Sequence, residues 1–520
     1  MNGHTIGFTL IYTTLATLFF LVIAKYDIHM FQLSSYRNSR YFRWLFPKNV
    51  FSSKRTMALL MIVPALVPHY VGIGFATGIT AVAWFHCFRE KFKTPLVYTM
   101  RVKRLFATNI ILFAIIATLA VLFAGTWASV IIGATLLLSN FVMLLANLVN
   151  TPIEKAINRH YYNDAKRIIE SNKNLIIIGV TGSFGKTSTK NYLASVLAEK
   201  YNVLVTPGNF NTLLGVIRTI REQLRPYHQV FIVEMGAKQR NDIKEICDLV
   251  HPTIGIVTAV GEMHLETFKS VENIQDTKFE LINSLPANGL GVINNDSEYI
   301  RSYKGVTSPC KLIKYAVEND GEYKATDVKY GASGVSFTLN GNEQYSSRLL
   351  GAGNLLNILA SIAVADHLGV PATKQKNAIS RLQPVEHRLS MKVANGISVL
   401  DDAYNSNPQG AAMALEVLKN FAVGEGNKRI VITPGFVEMG TRQAEANRQL
   451  GRTIATSCDY AIVVNATNRE AIKSGIDEGG LPAEKYFLAD SLNHAHAHLA
   501  QILRAGDVVL YENDLPDNFK

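Results

Sequence analysis

Seven residues in the middle of the chain combine the side chains and glycines that phosphate chemistry requires. They read Thr181-Gly182-Ser183-Phe184-Gly185-Lys186-Thr187. Glycines let backbone N–H groups approach phosphate oxygens, and a helix N-terminus favours negative charge there. The lysine and threonine of such a loop can reach the outer phosphates and Mg²⁺. The pattern G-x-x-x-x-G-K-[ST] is not strictly met, because Val180 stands at its first glycine. A predicted strand before the loop and a helix after it favour a phosphate site over a chance loop.

Two polar side chains follow other predicted strands, at the ends where open α/β sheets bind ligands. Glu234 closes a strand at residues 230–233 and could hold or orient magnesium; the alternative is a helix-capping or solvated glutamate. His264 follows a strand at residues 254–259. A histidine alone is more often structural, but its place beside the phosphate loop favours a role in the site.

These residues require a sheet to position them, and the hydrophobic pattern predicts one. Short β-rich runs alternate with helical segments such as residues 187–200 and 241–249, which is typical of a parallel sheet with helices on both faces. A second set of runs follows, so we expect two α/β domains joined between residues 369 and 387. The predicted strands are residues 175–180, 230–233, 254–259 and 291–293, then 398–400, 429–433, 460–464 and 508–511.

The first 150 residues have a different composition, dominated by long apolar runs. Residues 6–24, 105–124 and 129–149 are each long enough to cross a bilayer as a helix. Residues 57–88 are ambiguous between a hairpin of two short helices and one long broken helix. If they cross twice, the chain has about five spans.

Charge predicts the orientation of these spans. The net charge of +11 is concentrated in the loops at residues 25–55 and 89–104, where the only acids are Asp27 and Glu90. Basic loops lie on the cytoplasmic side, so five spans place the N-terminus outside and the soluble domains inside. The basic and aromatic residues of the first loop fit either an interfacial segment or ordinary flanking charge. Because the predicted membrane topology explains the excess of basic residues, the net charge does not indicate nucleic-acid binding. The four cysteines form no CxxC pair, which argues against a disulfide framework or zinc ribbon and fits a reducing compartment.

From about residue 174 to the C-terminus, the chain resembles the Mur ligase family. It is most similar to the MurF-type members, which add D-alanyl-D-alanine to the UDP-linked muramoyl tripeptide of peptidoglycan. The matching segments are residues 179–187, 209–212, 234–237, 264–266, 277–280 and 294–296, then Asn354, Asn357, residues 387–388 and residues 401–408.

The resemblance implies ATP and Mg²⁺ as cofactors and assigns a role to each matching residue. Lys186, His264 and Lys278 would be catalytic, and His264 would hold a second Mg²⁺ with Lys278, whose amine is carbamylated in the family. Thr187 and Glu234 would hold the first Mg²⁺. The implied nucleotide-binding residues are Thr181, Gly182, Ser183, Gly185, Lys186, Thr187, Asn294, Asp296, Asn357, Arg388 and Asp402.

The expected architecture is an α-helical transmembrane region followed by a P-loop parallel-sheet ATPase domain and a C-terminal Rossmann-like α/β domain. The predicted boundaries are residues 1–150 for the membrane helices, 151–173 for a linker helix, 174–383 for the ATP-binding domain and 384–520 for the last domain. The expected function is an ATP-dependent carboxylate–amine ligase at the bacterial cytoplasmic membrane, with its ligase domains in the cytoplasm. Its expected partners are a UDP-linked or lipid-linked muramoyl peptide, D-alanyl-D-alanine or another amine, and membrane lipid, with no nucleic acid.

Several departures from the family pattern keep alternatives open. The family's first domain, which holds the UDP end of the substrate, is replaced by the apolar helices. Residues 433–440 and 511–514 differ from the usual MurF-type motifs, and Gly353 takes a histidine position. The alternatives are a Mur-type ligase making another amide, such as a polyglutamate-like polymer or a modified lipid-linked peptide, and a non-catalytic membrane scaffold.

Overall fold

The computed structural model describes residues 3–46, 53–89, 92, 94–263, 265–331, 333–404 and 406–515. The chain divides into two compact units, and the boundary falls between His160 and Tyr161. This boundary lies inside a helix, so the predicted linker at residues 151–173 is not a separate element.

The first unit is helical. Three of its long helices, α1, α4 and α5, are apolar around most of their circumference, which is typical of segments that pack against other apolar surfaces or lipid on every side. The helices are α1 (Gly3–Leu33), α2 (Asn38–Trp44), α3 (Ser53–Leu60), α4 (His69–Arg89), α5 (Met100–Phe123), α6 (Ala128–Leu137) and α7 (Ser139–Ser171), with 3₁₀ turns at Val63–Ala65 and Gly125–Trp127.

The number of helices that could cross a membrane is lower than the sequence predicted. Among the described residues, three helices are long and apolar enough: His4–Leu33, His69–Cys87 and Met100–Phe123. A fourth is added if α6 and α7, which meet at a 74° bend, count as one broken span. By length and composition, three or four helices among the described residues therefore meet this requirement, against the about five predicted, and the predicted span at residues 129–149 is broken at Leu138.

The difference arises in residues 57–88, which contain one helix of spanning length, α4, preceded by the short helix α3 and a 3₁₀ turn. The eight residues of α3 extend about 12 Å, against about 30 Å of hydrocarbon. Pro64 lies in the 3₁₀ turn that follows, and proline lacks the N–H needed to continue a helix. The segment from Arg55 to His69 still runs back along α1. At its start Arg55 pairs with Asp27, and at its end the His69 ring stacks on Phe8, near the beginning of α1, with centroids 4.6 Å apart.

A buried polar cluster joins the helices of this unit. One Asp27 carboxylate oxygen accepts hydrogen bonds from Tyr41 Oη at 3.0 Å and Arg55 Nη2 at 3.1 Å, and the other accepts from Ser139 Oγ at 2.7 Å. Arg55 Nη1 also donates to Asn140 Oδ1 at 2.9 Å. An unpaired charge in apolar surroundings is costly, so this pairing accounts for the presence of Asp27 among apolar helices. Ser139 is the first residue after the α6–α7 bend, and its bond therefore holds that bend in place.

The second unit contains two mixed α/β sheets. Its first strands and helices are β1 (Ile176–Thr181), α8 (Lys186–Leu197), β2 (Val203–Val205), α9 (Leu213–Gln223), β3 (Val230–Glu234), α10 (Asp242–Val250), β4 (Ile254–Val257), α11 (Leu265–Phe268), α12 (Val271–Asn283), β5 (Leu290–Asn294), α13 (Glu298–Arg301), β6 (Lys311–Ala316), β7 (Tyr323–Gly331), β8 (Gly334–Leu339), β9 (Glu343–Ser347), α14 (Gly351–His367) and α15 (Ala372–Ser380).

The remaining elements form the C-terminal part of this unit. They are β10 (Ser390–Ala394), β11 (Ile397–Asp402), α16 (Pro408–Lys419), β12 (Arg429–Thr433), α17 (Gln443–Ser457), β13 (Tyr460–Val464), α18 (Arg469–Glu478), β14 (Tyr486–Ala489), α19 (Leu492–Ile502) and β15 (Val508–Glu512), with 3₁₀ turns at Gly440–Arg442 and Ala483–Lys485.

The first sheet has nine strands in the order β2-β3-β1-β4-β5-β6-β7-β8-β9. The neighbouring strands from β2 to β7 pair in parallel, and the central strands are buried β-branched runs, as expected for a sheet covered on both faces. β7, β8 and β9 instead form an antiparallel meander. The predicted parallel sheet is thus a mixed one. Of the missed strands, β7 and β9 are largely exposed or half-buried and polar, so they lack the apolar runs that predicted the others.

The second sheet has the order β10-β11-β15-β12-β13-β14 and is parallel except for its antiparallel edge strand β10. The chain passes from β11 to β12, while β15 lies between them, so the strand order reverses at this point. Open α/β sheets bind ligands at such a reversal, outside the carboxyl ends of the strands. The residues at those ends here are Asp402, Thr433 and Glu512.

Candidate active site

The loop between β1 and α8 has the backbone that a phosphate-binding loop needs. Gly182 and Gly185 both have positive φ, at 152° and 80°. A Cβ on Gly182 would collide with Thr258 Oγ1, and one on Gly185 would lie 2.6 Å from Asn357 Oδ1. Only glycine therefore allows β1 to turn this tightly into the N-terminus of α8. Ser183 fixes the loop to the segment after β4 through its N–H, which donates to Ala259 O at 2.7 Å.

Lys186 begins α8 and folds back over this loop. Its Nζ donates to Gly182 O at 2.7 Å and to Ser183 O at 3.1 Å. Burial lowers the pKa of Lys186 to about 8, against the raising effect of Glu234 and with a further lowering effect of Arg388. A partly buried amine that donates to two backbone carbonyls can exchange those bonds for stronger ones to an anion.

Thr187 and Glu234 meet beside Lys186. Thr187 Oγ1 donates to Glu234 Oε1 at 3.2 Å, and Asn211 Nδ2 donates to the same oxygen at 3.1 Å. Burial by itself would raise the pKa of Glu234, but Lys190 and Lys186 hold it below its usual value. The site therefore offers an ionised carboxylate and a hydroxyl side by side, which are the oxygen ligands that Mg²⁺ prefers.

Lys190 is a member of this cluster that the sequence analysis missed. Its Nζ forms an ion pair with Glu234 Oε2 at 3.0 Å, and both side chains are only 1 % exposed. The same amine donates to Thr206 O at 2.8 Å and Gly208 O at 2.7 Å. Lys190 thus holds one oxygen of Glu234 and leaves the other to Thr187. Its spacing was a usable signal, because residues four apart share a helix face and Lys190 follows Lys186 by four.

Lys278 lies on α12 and is 4 % exposed. Burial, with a smaller contribution from Lys186, lowers the pKa of Lys278 to about 7. A substantial fraction of its amine is therefore neutral, and hence nucleophilic, near neutral pH. His264, the predicted partner of Lys278, lies outside the described residues.

Five residues outside the phosphate loop were predicted to bind the nucleotide, and four of them line one cleft. Asn294, Asn357, Arg388 and Asp402 line it, together with Phe184, Gly185, Ser188, Thr258, Asn354 and residues of α16. Asp296 does not line the cleft. Its carboxylate accepts hydrogen bonds from the backbone N–H groups of residues 317–319, at 2.6 Å from Val317 N and 2.8 Å from Asn319 N. In this structure Asp296 therefore holds the turn after β6.

Arg388 and Asp402 supply the charges of this cleft. The Arg388 guanidinium lies over the Tyr404 ring, 4.2 Å from its centroid, and burial lowers the pKa of this arginine. Burial also raises the pKa of Asp402 to about 6, although Arg388 and the Leu389 N–H oppose this shift. His387 and Leu389, which flank Arg388, both have positive φ, at 58° and 50°. Such strain in bulky residues persists only where surrounding contacts hold it, here including the bond between His387 Nδ1 and Asp401 Oδ2 at 2.7 Å.

The segments that depart from the family pattern meet at the carboxyl edge of the second sheet. Glu512 is fully buried, and its oxygens accept hydrogen bonds from Ser406 Oγ and from Thr433 Oγ1, the latter at 2.8 Å. Asn513 Nδ2 donates to Gly435 O at 2.6 Å. Burial raises the pKa of Glu512 to about 7, against the lowering effect of the two hydroxyls. The departures at residues 433–440 and 511–514 therefore form one cluster.

The described side chains provide some, but not all, of the oxygen ligands that a Mg²⁺ ion needs. Within the described ranges, no group of three His, Cys, Asp or Glu side chains could enclose a metal ion. Mg²⁺ in phosphoryl-transfer sites, however, usually takes one or two protein oxygens, with the rest from phosphates and water. Thr187 and Glu234 match that requirement, because Glu234 is ionised and adjoins the loop that would carry the phosphates.

Comparisons with known proteins agree with this geometry. Residues 180–365 match the Mur ligase middle domain, and residues 387–511 match the Mur ligase, glutamate ligase domain. The UDP-N-acetylmuramoyl-tripeptide–D-alanyl-D-alanine ligase of Mycobacterium tuberculosis (strain CDC 1551 / Oshkosh) is 32% identical over 359 residues, covering 65% of this chain and 70% of the relative. The Bacillus subtilis (strain 168) ligase of the same name is 27% identical over 345 residues, covering 65% and 72%. The crystal structure of MurF ligase from Thermotoga maritima in complex with ADP has a TM-score of 0.60 and 26% identity, covering 69% of this chain and 80% of that one.

Proposed function

The chain belongs to the Mur ligase family of ATP-dependent peptide ligases, and we propose that it joins D-alanyl-D-alanine to the carboxylate of a muramoyl tripeptide in peptidoglycan synthesis. The observation that carries this proposal is the partly buried cluster of Lys186, Thr187 and the fully buried Glu234 at the N-terminus of α8. A scaffold without catalysis would not need to retain a buried carboxylate, Glu234, beside this lysine and hydroxyl, because burying a charge is costly.

The reaction would begin with phosphoryl transfer. The substrate carboxylate oxygen attacks the γ-phosphorus of ATP, the bond to the β–γ bridging oxygen breaks, and an acyl phosphate and ADP result. Lys186 and the backbone N–H groups of the loop would offset the negative charge on the transferring group. Thr187 and Glu234 would hold Mg²⁺, which supplies further charge neutralisation at the phosphates. Asn294, Asn357, Arg388 and Asp402 would bind the nucleoside side of ATP in the cleft that they line.

The second step is amide formation. The amine of the incoming D-alanyl-D-alanine attacks the acyl carbon, and the resulting tetrahedral intermediate expels phosphate. The amine would approach from the carboxyl edge of the second sheet, where the strand order reverses. Gln409 at the start of α16 already touches the loop after β4, since a Cβ on Gly261 would meet its side chain. Close contact of these loops would exclude water from the acyl phosphate.

Lys278 would act as a carbamate. Its neutral amine attacks the carbon of CO₂, an N–C bond forms, and a proton leaves to solvent, so that a cation becomes a carboxylate-like group. The depressed pKa of Lys278 supports this proposal, because only the neutral amine reacts. The carbamate would then hold a second Mg²⁺ with His264.

We further propose that the reaction takes place at the cytoplasmic face of a bacterial membrane. The three or four helices of spanning length and the basic loops beside them support a multi-pass anchor. Because the helices precede the ATP-binding part of the chain, where the family carries its UDP-binding domain, two carriers for the tripeptide stay open. The substrate is either UDP-linked, with the helices as a simple anchor, or lipid-linked and presented in the membrane.

Phosphate release from ATP by the full chain in detergent tests the proposal. UDP-linked and lipid-linked muramoyl tripeptide would each be supplied with D-alanyl-D-alanine and Mg²⁺, alongside a Lys186→Ala variant and a matched Lys485→Ala variant at an exposed site. Turnover with either tripeptide, lost in Lys186→Ala but kept in Lys485→Ala, supports the proposal and identifies the carrier. ATP binding without turnover on either substrate would overturn the assignment of D-alanyl-D-alanine.

A further inference from the structure

A pocket in the helical unit combines cationic and apolar walls. It lies between α1 and α5, has a volume of about 320 Å³, and is lined by Leu21, Lys25, Tyr98, Lys103 and Phe106. The two lysines come from opposite walls of the pocket, and both are exposed. None of these residues takes part in the ligase site described above.

The charges around this pocket are arranged for an anion. Lys103 lies in the first turn of α5, which contains no acidic residue. The N-terminus of a helix is already positive, so cations there are unfavourable unless something offsets them. Its neighbours have partners, because Arg104 pairs with Glu154 at 2.7 Å and the Arg101 guanidinium lies 4.0 Å from the Tyr36 ring centroid.

Among the described residues, neither lysine of the pocket has an acidic or aromatic partner of this kind. Lys103 has no ion pair within the part of the chain that the structure describes. The Lys25 amine has a weak contact with Cys87 Sγ at 3.7 Å. The pocket therefore has two lysines and no carboxylate among its five lining residues, and one of these lysines lies in the positive first turn of a 24-residue helix.

The remaining walls indicate what kind of anion fits. Leu21 precedes Lys25 by one helical turn, and Phe106 follows Lys103 by about one turn in the direction of the apolar part of α5. Tyr98 stacks on Phe106 with centroids 6.2 Å apart. The pocket is thus apolar toward the middle of the helices and cationic toward their basic ends.

We propose that this pocket binds the phosphate of a membrane lipid whose headgroup is net anionic, with the phosphate beside Lys25 and Lys103 and the start of the acyl or prenyl chain against Leu21 and Phe106. Free phosphate would satisfy the lysines but would leave the apolar wall unused. The proposal rests on the proposed membrane location of the helices. It deepens the proposed function, because a phosphate-linked lipid carrier would have a defined point of attachment on this chain.

Native mass spectrometry of the full chain tests this site. The detergent-purified protein would be incubated with equimolar dioleoyl phosphatidic acid and dioleoyl phosphatidylcholine, and in a second arm with inorganic phosphate as competitor. The variants are the double substitution Lys25→Gln/Lys103→Gln and a control, Arg89→Gln, which removes an exposed charge that does not line the pocket. Thermal unfolding of each purified variant checks that the fold is retained.

We expect the wild type and Arg89→Gln to retain phosphatidic acid about tenfold more than phosphatidylcholine, and the double variant to lose that preference. Equal retention by the double variant, or no preference in the wild type, would overturn the proposal. Displacement of the lipid by an equal concentration of inorganic phosphate would assign the pocket to free phosphate instead. Recovery of the wild type in the membrane fraction is recorded separately. A protein absent from that fraction contradicts the membrane location, whereas one present there but without the lipid preference contradicts only the pocket.

Discussion

The carboxyl edges of the two sheets in the ligase unit occupy equivalent topological positions, but the titratable groups whose pKa is shifted toward neutrality are lysines at one edge and acids at the other. At the edge of the first sheet, burial lowers the pKa of Lys186 and Lys278, which are cations. At the edge of the second sheet, burial raises the pKa of Asp402 and Glu512, which are acids. Desolvation disfavours the charged form in both places, so it pushes each group toward neutrality.

The difference lies in what each edge can accept. The first edge presents lysines and a helix N-terminus, which favour phosphate oxygens. The second presents acids whose oxygens are held by Ser406 and Thr433, together with an Asn513 amide. The comparison shows that a shared sheet topology determines where a ligand binds but not which charge it carries. The residues at the strand ends determine the charge of the ligand that each edge accepts.

The largest effect is expected at the first edge from Lys186→Met. Loss of the ammonium should lower kcat for ATP turnover about 10³-fold, or about 4 kcal/mol, because charge on the transferring phosphoryl group is left without its partner. Steady-state phosphate release measures this change. A loss of less than about tenfold would show that the first edge does not depend on its cation.

Lys190→Met should act on stability instead. It leaves Glu234 as an unpaired buried carboxylate and should lower the free energy of unfolding by about 3 kcal/mol. Chemical denaturation of the full chain in detergent measures the change. The control is Lys190→Met/Glu234→Leu, which removes both charges and should regain most of that loss. Equal destabilisation in the single and double variants would contradict the role of the ion pair.

Lys278→Ala should lower kcat about 10²-fold, because the carbamate would be lost. Removal of CO₂ from the buffer should lower wild-type activity in the same direction, and added acetate should restore part of the activity of the variant by supplying a carboxylate. The pKa of about 7 predicts that carbamate formation increases as pH rises through that value. An enzyme indifferent to CO₂ and acetate would contradict this role.

At the second edge, Glu512→Gln should change the pH dependence of stability. The folded-state pKa of Glu512 is raised to about 7 from an ordinary 4.5, so the folded state binds the extra proton between these values. Wild-type stability should therefore fall as pH rises through this window, by about 2 kcal/mol, and the variant should lack that component. Unfolding at pH 5 and pH 8 measures the difference, with Glu484→Gln, an exposed acid, as the control. If the free energy of unfolding depends on pH in the same way for the wild type and Glu512→Gln, the raised pKa of Glu512 is contradicted.

The smallest effect is expected at the contact between the two edges. Arg442 pairs with Glu262, which joins the loop after β4 to the 3₁₀ turn after β12. The arginine is more than half exposed, so solvent weakens the pair. A double-mutant cycle with Arg442→Met and Glu262→Gln should give a coupling below about 1 kcal/mol in kcat/KM. A coupling several times larger would mean that this ion pair controls closure of the two edges.

The sequence alone determined the central parallel strands of the first sheet and the phosphate loop. Buried β-branched runs predicted β1, β3, β4 and β5 within one or two residues at their ends, because a strand covered on both faces must be apolar throughout. Glycine and lysine in the loop at residues 181–187 predicted the turn into α8, since only glycine tolerates its positive φ. These signals are local, so they need no tertiary information.

Only the tertiary structure decided which distant side chains share an environment. The sequence placed Asp296 with the nucleotide residues, but its carboxylate is bonded to the turn at residues 317–319. The pairing of Lys190 with Glu234 and the clustering of Glu512 with Ser406 and Thr433 join residues 44 to 106 positions apart. The bend at Leu138 and the short α3, which reduce the spanning helices to three or four, likewise accompany contacts to Asp27 from Ser139 and Arg55. Burial and pairing arise from the packing of separate elements, and one-dimensional patterns of hydrophobicity do not encode which elements meet.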